Sequence, residues 1–258
     1  TLIIVAGCGK PGSKALEKQG ALVKLDPFGD PESLQFAYKP SVPKNLLQLP
    51  DELLALDFQG TPVAAEHLGH WKNLANLEEL NLTGTGIGDA DLIQLKQFSR
   101  LKTLHLGGTP IQGTGLNHLA ELPHLETLHL GDNKLSHGTL HHLENLKKLR
   151  VLDLHNTGIQ DDNLLPIGQL TNLHWLWLSG NRITDKGLPH LSGLTKLRGL
   201  YLNHTQVTFK GFPSLKPLQN LETIWIVNRK VNHTHKAYLK SLLPEGCYIN
   251  IRQPASNP

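Results

Sequence analysis

The sequence predicts a solenoid of the α/β class, with a parallel sheet on its concave face and short helices on its convex face. One observation is an apolar frame that recurs eight times at a constant spacing of 24 residues, without insertions. The other is a change of periodicity inside each unit, from the alternation of a strand to the three-residue spacing of a helix. No unit can bury its apolar side alone, so the eight units must stack between N- and C-terminal caps. The units begin at Leu53, Leu77, Leu101, Leu125, Leu149, Leu173, Leu197 and Leu221.

Each unit opens with a predicted strand. The unit at Leu77 reads L-x-x-L-x-L-x-x-T-x-I, and its Leu80 and Leu82 lie two residues apart, which is the period of a strand with one buried face. The ninth position of the frame is polar, and we expect it to point inward and satisfy backbone groups of adjoining turns. Because a buried polar column is costly unless it is paired, we interpret this column as a structural ladder. It contains Thr61, Thr85, Thr109, Asn133, Thr157, Asn181 and Thr205.

Each strand is followed by a predicted short helix. Leu92, Leu95 and Phe98 lie three residues apart, which suits one face of a helix. Strands repeat at ~4.8 Å whereas helices are ~10 Å wide, so the stack should curve with the sheet on the inside. Three aspartates stand just before such helices, and we expect their side-chain oxygens to cap the helix starts. These are Asp89, Asp161 and Asp185.

The repeated frame resembles bacterial leucine-rich repeats in which Thr often replaces the usual Asn. The resemblance covers about residues 53–243, and the stretch NRITDKGL from Asn181 to Leu188 is close to the family's pattern. Arrays of this kind are abundant in planctomycete-like bacteria, often behind a lipoprotein signal. The resemblance implies a horseshoe-shaped scaffold that recognises proteins or glycans through its concave sheet. It says little about the ligand, because a fold does not fix a function.

The repeat divides the chain into four predicted regions. Residues 1–12 are interpreted as a lipoprotein signal remnant and tether, and residues 13–52 as an N-terminal cap. The repeat array follows over residues 53–243, and residues 244–258 form a C-terminal cap strand and tail. Arg229 replaces the ladder residue of the last unit, as is typical of a terminal unit that shields the open end of a solenoid.

Four elements are predicted within the two caps. The N-terminal cap should contain a helix from Ser13 to Gln19 and an apolar segment from Ala21 to Leu25. The C-terminal side should contain a last helix around His235–Leu243, followed by a closing strand over Cys247–Ile251.

The first eight residues are apolar and end in Val-Ala-Gly-Cys. This ending resembles the lipobox of bacterial lipoproteins, which implies that Cys8 is lipidated and anchors the chain at the cell envelope, in the periplasm or at the surface. The sequence contains no Met, so we expect a fragment or a processed form. The alternative is an ordinary apolar strand of the cap in a cytosolic adaptor. If Cys8 carries the lipid, Cys247 is a free thiol, most simply a small buried side chain of the C-terminal cap.

Composition and motifs argue against several classes of function. The net charge is +3 with Lys and Arg scattered along the chain, so no basic stripe predicts nucleic-acid binding. No apolar run approaches the ~18–20 residues of a membrane span. The sequence contains no G-x-S-x-G, Walker A or Cys-x-x-Cys motif. We therefore expect no cofactor and no catalytic activity, and a monomer that touches a membrane only through its lipid.

The fifth position of the frame points into the concave face and reveals an aromatic group. Down the stack this position holds Asp57, Asn81, His105, His129, Asp153, Trp177, Tyr201 and Trp225. Trp175 points outward too, two residues before Trp177 on the same strand. We interpret Trp175, Trp177, Tyr201 and Trp225 as ligand-binding residues, because exposed Trp and Tyr are enriched where partners bind and flat aromatic rows stack on sugars. The alternative is that the rings merely pack on one another across the sheet.

The other half of the face carries His105, His129, Asp153 and His155. Adjacent strands place the first three about 5 Å apart at their Cβ atoms. One hypothesis is a Zn²⁺ or Fe²⁺ site of a metal-dependent hydrolase, because two His and a carboxylate leave coordination sites open. The alternative is a polar ridge that hydrogen-bonds a partner and responds to pH. The chain has 15 His, so a chance pairing is easy.

The sequence as a whole predicts a non-catalytic binding scaffold of the bacterial cell envelope. Its concave face would recognise a protein or glycan through the aromatic residues and the His/Asp residues. A cytosolic protein-interaction adaptor and the metal-dependent hydrolase remain as alternatives.

Overall fold

The computed structural model describes Glu17 and residues 21–27, 31–42 and 49–252. Within these residues eleven strands form one sheet in chain order, and every pair after the first is parallel. The predicted solenoid is therefore confirmed. The strands are β1 (Leu22–Leu25), β2 (Pro31–Gln35), β3 (Ala55–Asp57), β4 (Glu79–Asn81), β5 (Thr103–His105), β6 (Thr127–His129), β7 (Val151–Asp153), β8 (Trp175–Trp177), β9 (Gly199–Tyr201), β10 (Thr223–Val227) and β11 (Tyr248–Arg252).

The convex layer consists of short helical segments, most of them 3₁₀ rather than α. A 3₁₀ helix rises ~2.0 Å per residue against ~1.5 Å in an α-helix, so it spans the return path of a short repeat with fewer residues. Among the described residues no helix is long and apolar enough to cross a membrane. The α-helices are α1 (Ala65–His70), α2 (Leu164–Ile167) and α3 (His233–Lys240). The 3₁₀ helices span Asp89–Gln97, Leu116–Glu121, Thr139–Asn145, Asp161–Asn163, Leu188–Leu191 and Phe209–Leu215.

A continuous apolar core lies between the sheet and the helices. Strands β3 to β10 pair at an offset of 24 residues, so that Leu104 lies beside Leu128 and Leu128 beside Leu152. The frame leucines and the helix-face residues Leu92 and Leu95 are buried. Because every unit contributes the same positions, the alternate residues of each strand are displayed on the concave face.

The predicted polar ladder is buried and fully bonded. Thr157 donates its hydroxyl to the carbonyl of Leu154 within its own turn, at 2.7 Å. Asn181 reaches back to the same carbonyl through Nδ2 at 2.7 Å, and its Oδ1 accepts the backbone N–H of Thr157 at 3.1 Å. Thr85, Thr109, Thr157 and Thr205 therefore close their own turns, whereas asparagine also joins its unit to the preceding one. Thr61 instead donates to the carbonyl of Phe36 in the N-terminal cap.

The prediction that Asp89, Asp161 and Asp185 cap their own helices is wrong, because each carboxylate binds the following repeat instead. Asp161 accepts the backbone N–H and the hydroxyl of Thr184 at 2.7 and 2.6 Å. Asp185 binds Thr208 in the same way, at 2.7 and 2.6 Å. The turn of the next unit presents donors that need an acceptor, and only stacking brings them within reach. We call these contacts the carboxylate clamps; Asp89 makes the third, with the backbone N–H groups of Gln112, Gly113 and Gly115.

The N-terminal cap contains a strand that the repeat frame did not reveal. Strands β1 and β2 form an antiparallel pair, and β2 then runs parallel to β3. Leu34 lies beside Leu56, so β2 follows the repeat at an offset of 22 rather than 24 residues. The predicted helix Ser13–Gln19, apart from Glu17, and the predicted lipidation site Cys8 lie outside the described residues.

The C-terminal cap differs from its prediction in detail. The last helix is α3, which begins two residues earlier and ends three residues earlier than the predicted His235–Leu243. The closing strand is β11. The ladder continues one residue early, because buried Asn228 rather than Arg229 accepts the backbone N–H of Val231 and donates to the carbonyl of Val207. Cys247 is a half-buried free thiol packed against the core, and burial raises its pKa to about 11.

Candidate functional site

Seven of the eight predicted site residues lie on strands of the sheet, and the eighth, His155, follows β7 in the turn two residues after Asp153. Tyr201 lies between Trp177 and Trp225 in the strand pairing, and Asp153 lies between His129 and Trp177. The outward positions thus form one column that crosses the sheet, with polar residues in its N-terminal half and aromatic residues in its C-terminal half.

The aromatic half is a row of stacked rings, which we call the aromatic row. The rings of Trp177 and Tyr201 lie 5.0 Å apart with an interplanar angle of 9°. Tyr201 and Trp225 follow at 6.1 Å and 24°, and Trp175 and Trp177 at 6.1 Å and 23°. Tyr248 of β11 extends the row beyond Trp225 at 6.1 Å, tilted by 52°. The sequence prediction missed Tyr248 because it lies outside the 24-residue frame; its exposed aromatic side chain on a terminal strand is the only signal.

The rings of Trp177 and Tyr201 stand with their edges, rather than their faces, toward the concave space. Two coplanar rings would collide at the 5.0 Å that separates Trp177 from Tyr201, so these rings must overlap face to face. The separation is close to the ~4.8 Å between neighbouring strands. Trp177 and Tyr201 therefore cover one face of each other, as the packing alternative required, while their edges are left toward the concave space.

Gly199 makes room for the indole of Trp175. A Cβ at position 199 would overlap Cε3 and Cζ3 of that ring, although the glycine has a backbone conformation that any residue adopts. The neighbouring units carry Trp175 and Thr223 at the same place in the strand. Glycine at position 199 is thus required by the ring and not by the backbone.

The polar groups of Trp225 and Tyr201 differ in their surroundings. Trp225 donates its indole N–H to the hydroxyl of Thr223 at 3.0 Å on the same strand. Burial raises the pKa of the Tyr201 hydroxyl, so this group stays a neutral donor and acceptor at physiological pH.

The polar half is a closed hydrogen-bond network around Asp153. Oδ1 of Asp153 accepts the backbone N–H of His155 at 3.0 Å and lies 2.7 Å from Nδ1 of its ring. Oδ2 of Asp153 lies 3.4 Å from Nδ1 of His129, and Nε2 of His155 lies 3.1 Å from Oδ2 of Asp132. We call His105, His129, Asp132, Asp153 and His155 the His/Asp network.

Charge in the His/Asp network is set by mutual contact. Burial opposes ionisation of Asp153, but hydrogen bonds from His129 and His155 outweigh it and lower the pKa of the carboxyl. Burial likewise opposes the charge on His155, and the carboxylates of Asp153 and Asp132 outweigh it and raise the pKa of that ring. The mutual contacts therefore favour the carboxylate form of Asp153 and the charged form of His155.

His105 is the neutral member of the His/Asp network. Its ring stacks on His129 with 4.4 Å between centroids and an interplanar angle of 4°. Burial and the neighbouring His129 lower the pKa of His105 to about 4, against a smaller opposing effect of Asp153.

This geometry argues against the metal-site hypothesis for His105, His129, Asp153 and His155. Among the described residues no group of three His, Cys, Asp or Glu side chains could hold a metal ion. Stacked imidazoles direct their nitrogen lone pairs within parallel planes, so His105 and His129 do not converge on one point. Both ring nitrogens of His155 already face carboxylates.

Comparison with known proteins identifies the repeats. Three family models, each described as a leucine-rich repeat, match residues 73–95, 99–159 and 172–194. No curated protein matches the chain. The matched segments cover parts of six of the eight units and run through the polar half of the concave face into the aromatic half.

Proposed function

Because the chain is built of leucine-rich repeats, which generally mediate protein–protein interaction, we propose that it is a non-catalytic scaffold that binds a protein partner along the aromatic row. The observation that carries the proposal is a row of five aromatic side chains on the concave face, across four neighbouring strands. Core aromatics of this chain occupy inward positions, as fully buried Phe58 and Phe98 do. The aromatic row occupies outward positions instead.

Aromatic edges and tips suit contact with a protein surface. Trp and Tyr combine a large apolar area with a polar tip and are enriched among residues that dominate binding energy. Stacking on neighbouring rings holds the side chains in place before binding, so little side-chain entropy is lost when a partner arrives. A glycan is supported less well, because sugar stacking uses ring faces and Trp177 and Tyr201 cover each other's.

Site-specific photocrosslinking tests the proposal. We would replace Tyr201 by p-benzoylphenylalanine, irradiate producing cells and identify adducts by mass spectrometry. The matched control carries the same group at Leu165, a 56% exposed side chain of the convex layer. A single protein adduct from position 201, absent from position 165 and lost on Trp177→Ala, is the expected result. Equal adducts at both positions, or none at 201, would contradict the proposal.

We also propose that the scaffold works at the cell envelope through a lipid on Cys8. The support is the sequence Val5-Ala6-Gly7-Cys8, in which small residues precede a cysteine. Radioactive palmitate should label the protein when it is produced with its native leader in a bacterium, and Cys8→Ser should remove the label. Cys247→Ser is the matched control and should keep it. Unlabelled wild-type protein would favour the cytosolic adaptor.

A further inference from the structure

We propose that the cleft between Arg150 and Arg198 binds carboxylate side chains of the partner, so that the concave face recognises an acidic peptide segment. This inference rests on the proposed function and names the chemistry of the partner. The cleft lies where the chain enters β7, β8 and β9, directly beside the aromatic row.

The cleft belongs to a column of charged side chains that precede the strands. Because the units are in register, the second frame position repeats along one border of the concave face. Opposite charges alternate there, as shown by Lys102 and Glu78, whose Nζ and Oε2 atoms lie 2.7 Å apart. The column contains Glu78, Lys102, Glu126, Arg150, His174, Arg198 and Glu222.

The alternation fails at the centre of the column. His174 separates Arg150 from Arg198, and the backbone bonds of the three residues are consecutive: His174 donates to the carbonyl of Arg150 at 2.7 Å, and Arg198 to that of His174 at 2.8 Å. Arg150 and Arg198 therefore flank His174 on its two sides, about 10 Å apart at their Cα atoms, and both line the same cleft.

Both arginines have capacity for a further anion. Arg150 meets Glu126 through Nη1 at 3.6 Å, and Arg198 meets Glu222 through Nη1 at 3.4 Å. Both side chains are more than half exposed, at 57% and 53%. A guanidinium carries five N–H donors arranged to bind a carboxylate through two of them. Within the described part of the chain, each of the two guanidinium groups makes an ion pair through Nη1 alone.

His174 adds no positive charge to the cleft at neutral pH. Burial lowers the pKa of His174, and the positive charges of Arg150 and Arg198 lower it further, while the carbonyl of Asn172 offsets part of the shift. Nδ1 of His174 is buried without a partner of hydrogen-bond geometry among the described residues. The centre of the column is consequently an electropositive site whose middle group is uncharged at neutral pH.

The cleft has the size and the neighbours that a peptide side chain requires. It encloses about 330 Å³ and is lined by Arg150, His174 and Arg198 together with Thr127, Val151 and Trp175. Trp175 also belongs to the aromatic row, so one peptide could place a carboxylate in the cleft and apolar groups against the rings. Glu126 also lines the cleft, where its carboxylate would compete with the ligand for Arg150.

A fluorescent hexaglutamate peptide is the direct probe. Its anisotropy with the full chain at about 50 mM salt should show saturable binding that weakens at high salt. Arg150→Gln and Arg198→Gln should each weaken binding about tenfold, since each removes charge-assisted hydrogen bonds. Arg182→Gln is the matched control, because this exposed arginine follows β8 at its other end; it should change binding less than twofold. Equal effects of all three variants would overturn the proposal.

A variant that improves binding separates the cleft from general attraction. Glu126→Gln removes the competing carboxylate and should tighten hexaglutamate binding about threefold. Glu79→Gln removes the same charge from the concave face away from the cleft and should have a smaller effect. Loss of binding in Glu126→Gln would overturn the proposal.

Histidine NMR reads the occupied cleft directly. The C2 proton of His174 should titrate at a higher pH when hexaglutamate is bound, because the new carboxylates favour its charged form. An unchanged titration would overturn the proposal, as would binding of oligogalacturonate or inorganic phosphate in place of the peptide.

If the crosslinked partner of position 201 binds Arg150→Gln and Arg198→Gln normally, the scaffold function stands and this inference fails. If no partner is crosslinked, the scaffold function itself fails.

Discussion

The two halves of the concave face occupy equivalent positions on the same scaffold, yet their side chains use their bonding capacity differently. In the His/Asp network, Asp153 is engaged by two histidine rings, and His155 by two carboxylates. In the aromatic row, Trp177 and Tyr201 stack face to face and leave their edges toward the concave space, while the indole N–H of Trp225 is bonded to Thr223. The repeat determines where a side chain is displayed. The bonds that this side chain already makes within the protein determine what it can offer a ligand.

This difference also changes the role of the polar half. Asp153 and His155 belong to one unit, whereas His129 and Asp132 belong to the unit before it. The His/Asp network therefore fastens two units together, which is a structural role that the sequence interpretation had not considered.

The largest expected effect is on partner binding. Trp177→Ala should weaken binding of the partner crosslinked at position 201 about a hundredfold, because a central aromatic contact contributes more than 2 kcal/mol. His129→Ala, at the equivalent position of the polar half, should change binding less than threefold. Surface plasmon resonance measures both, and circular dichroism verifies folding. Equal losses in the two variants would remove the distinction between the halves.

The two ring-accommodating glycines give a matched pair. A Cβ at Gly199 would overlap the ring of Trp175, and a Cβ at Gly131 would overlap that of His155. Both Gly199→Ala and Gly131→Ala should lower the free energy of unfolding in urea by about 1–3 kcal/mol through overpacking. Only Gly199→Ala should also weaken partner binding. A binding defect in Gly131→Ala would show that the polar half contacts the partner.

Acid should destabilise the polar half through His105. Its folded pKa of about 4 lies below the ordinary value of 6.5, so the unfolded chain takes up the proton first and stability falls between pH 6.5 and 4. Allowing for solvent screening, His105→Gln should recover about 1–2 kcal/mol of unfolding free energy at pH 4.5 relative to pH 7.5.

His155 provides the control of opposite sign. Its pKa is raised in the folded state, so its contribution to stability is present below pH 6.5 and is lost as the pH rises through the folded pKa. His155→Gln should therefore destabilise the protein more at pH 5.5 than at pH 8.5. Parallel pH profiles for wild type and both variants would contradict the charge assignment.

The smallest expected effect lies at the end of the aromatic row. Tyr248 is 55% exposed and touches only one ring of the row, at a 52° tilt. Tyr248→Ala should cost about 0.5 kcal/mol of unfolding free energy and weaken partner binding about threefold. A loss as large as that of Trp177→Ala would place the centre of the contact at the C-terminal cap.

The sequence predicted what depends on periodicity and missed what depends on neighbouring units. The 24-residue frame is enough to place Leu104 inside and Trp177 outside, because strand alternation is a local property. It could not show that Asp161 binds Thr184, since that contact forms only when two units stack. Strand β2 escaped detection for a related reason, because it follows the array at a spacing of 22 residues.

Within the candidate site, residue positions were predictable and ring orientations were not. The frame placed Trp175, Trp177, Tyr201 and Trp225 on one face. Whether these rings would lie flat or stand on edge depends on stacking across strands, which has no signature in a single sequence. The cleft at His174 was overlooked because the charged column lies one position before the strands, outside the alternation that guided the interpretation.

The carboxylate clamps are absent from two adjacent joints in the middle of the array, as well as from its first and last joints, where Ala65 and Phe209 occupy the clamp position. One clamp joins the unit that begins at Leu77 to the unit that follows it. Two more clamps join the three consecutive units of which the first begins at Leu149. At the clamp position the two units between carry Gly113 and His137, which have no carboxylate. In a solenoid, the stability is approximately the sum of the stabilities of the units and of the couplings between neighbouring units. The middle of the horseshoe should consequently behave as a hinge. His105 stacks on His129 at the first of these two joints, so protonation of His105 at low pH should loosen that joint, and amide exchange should spread outward from it.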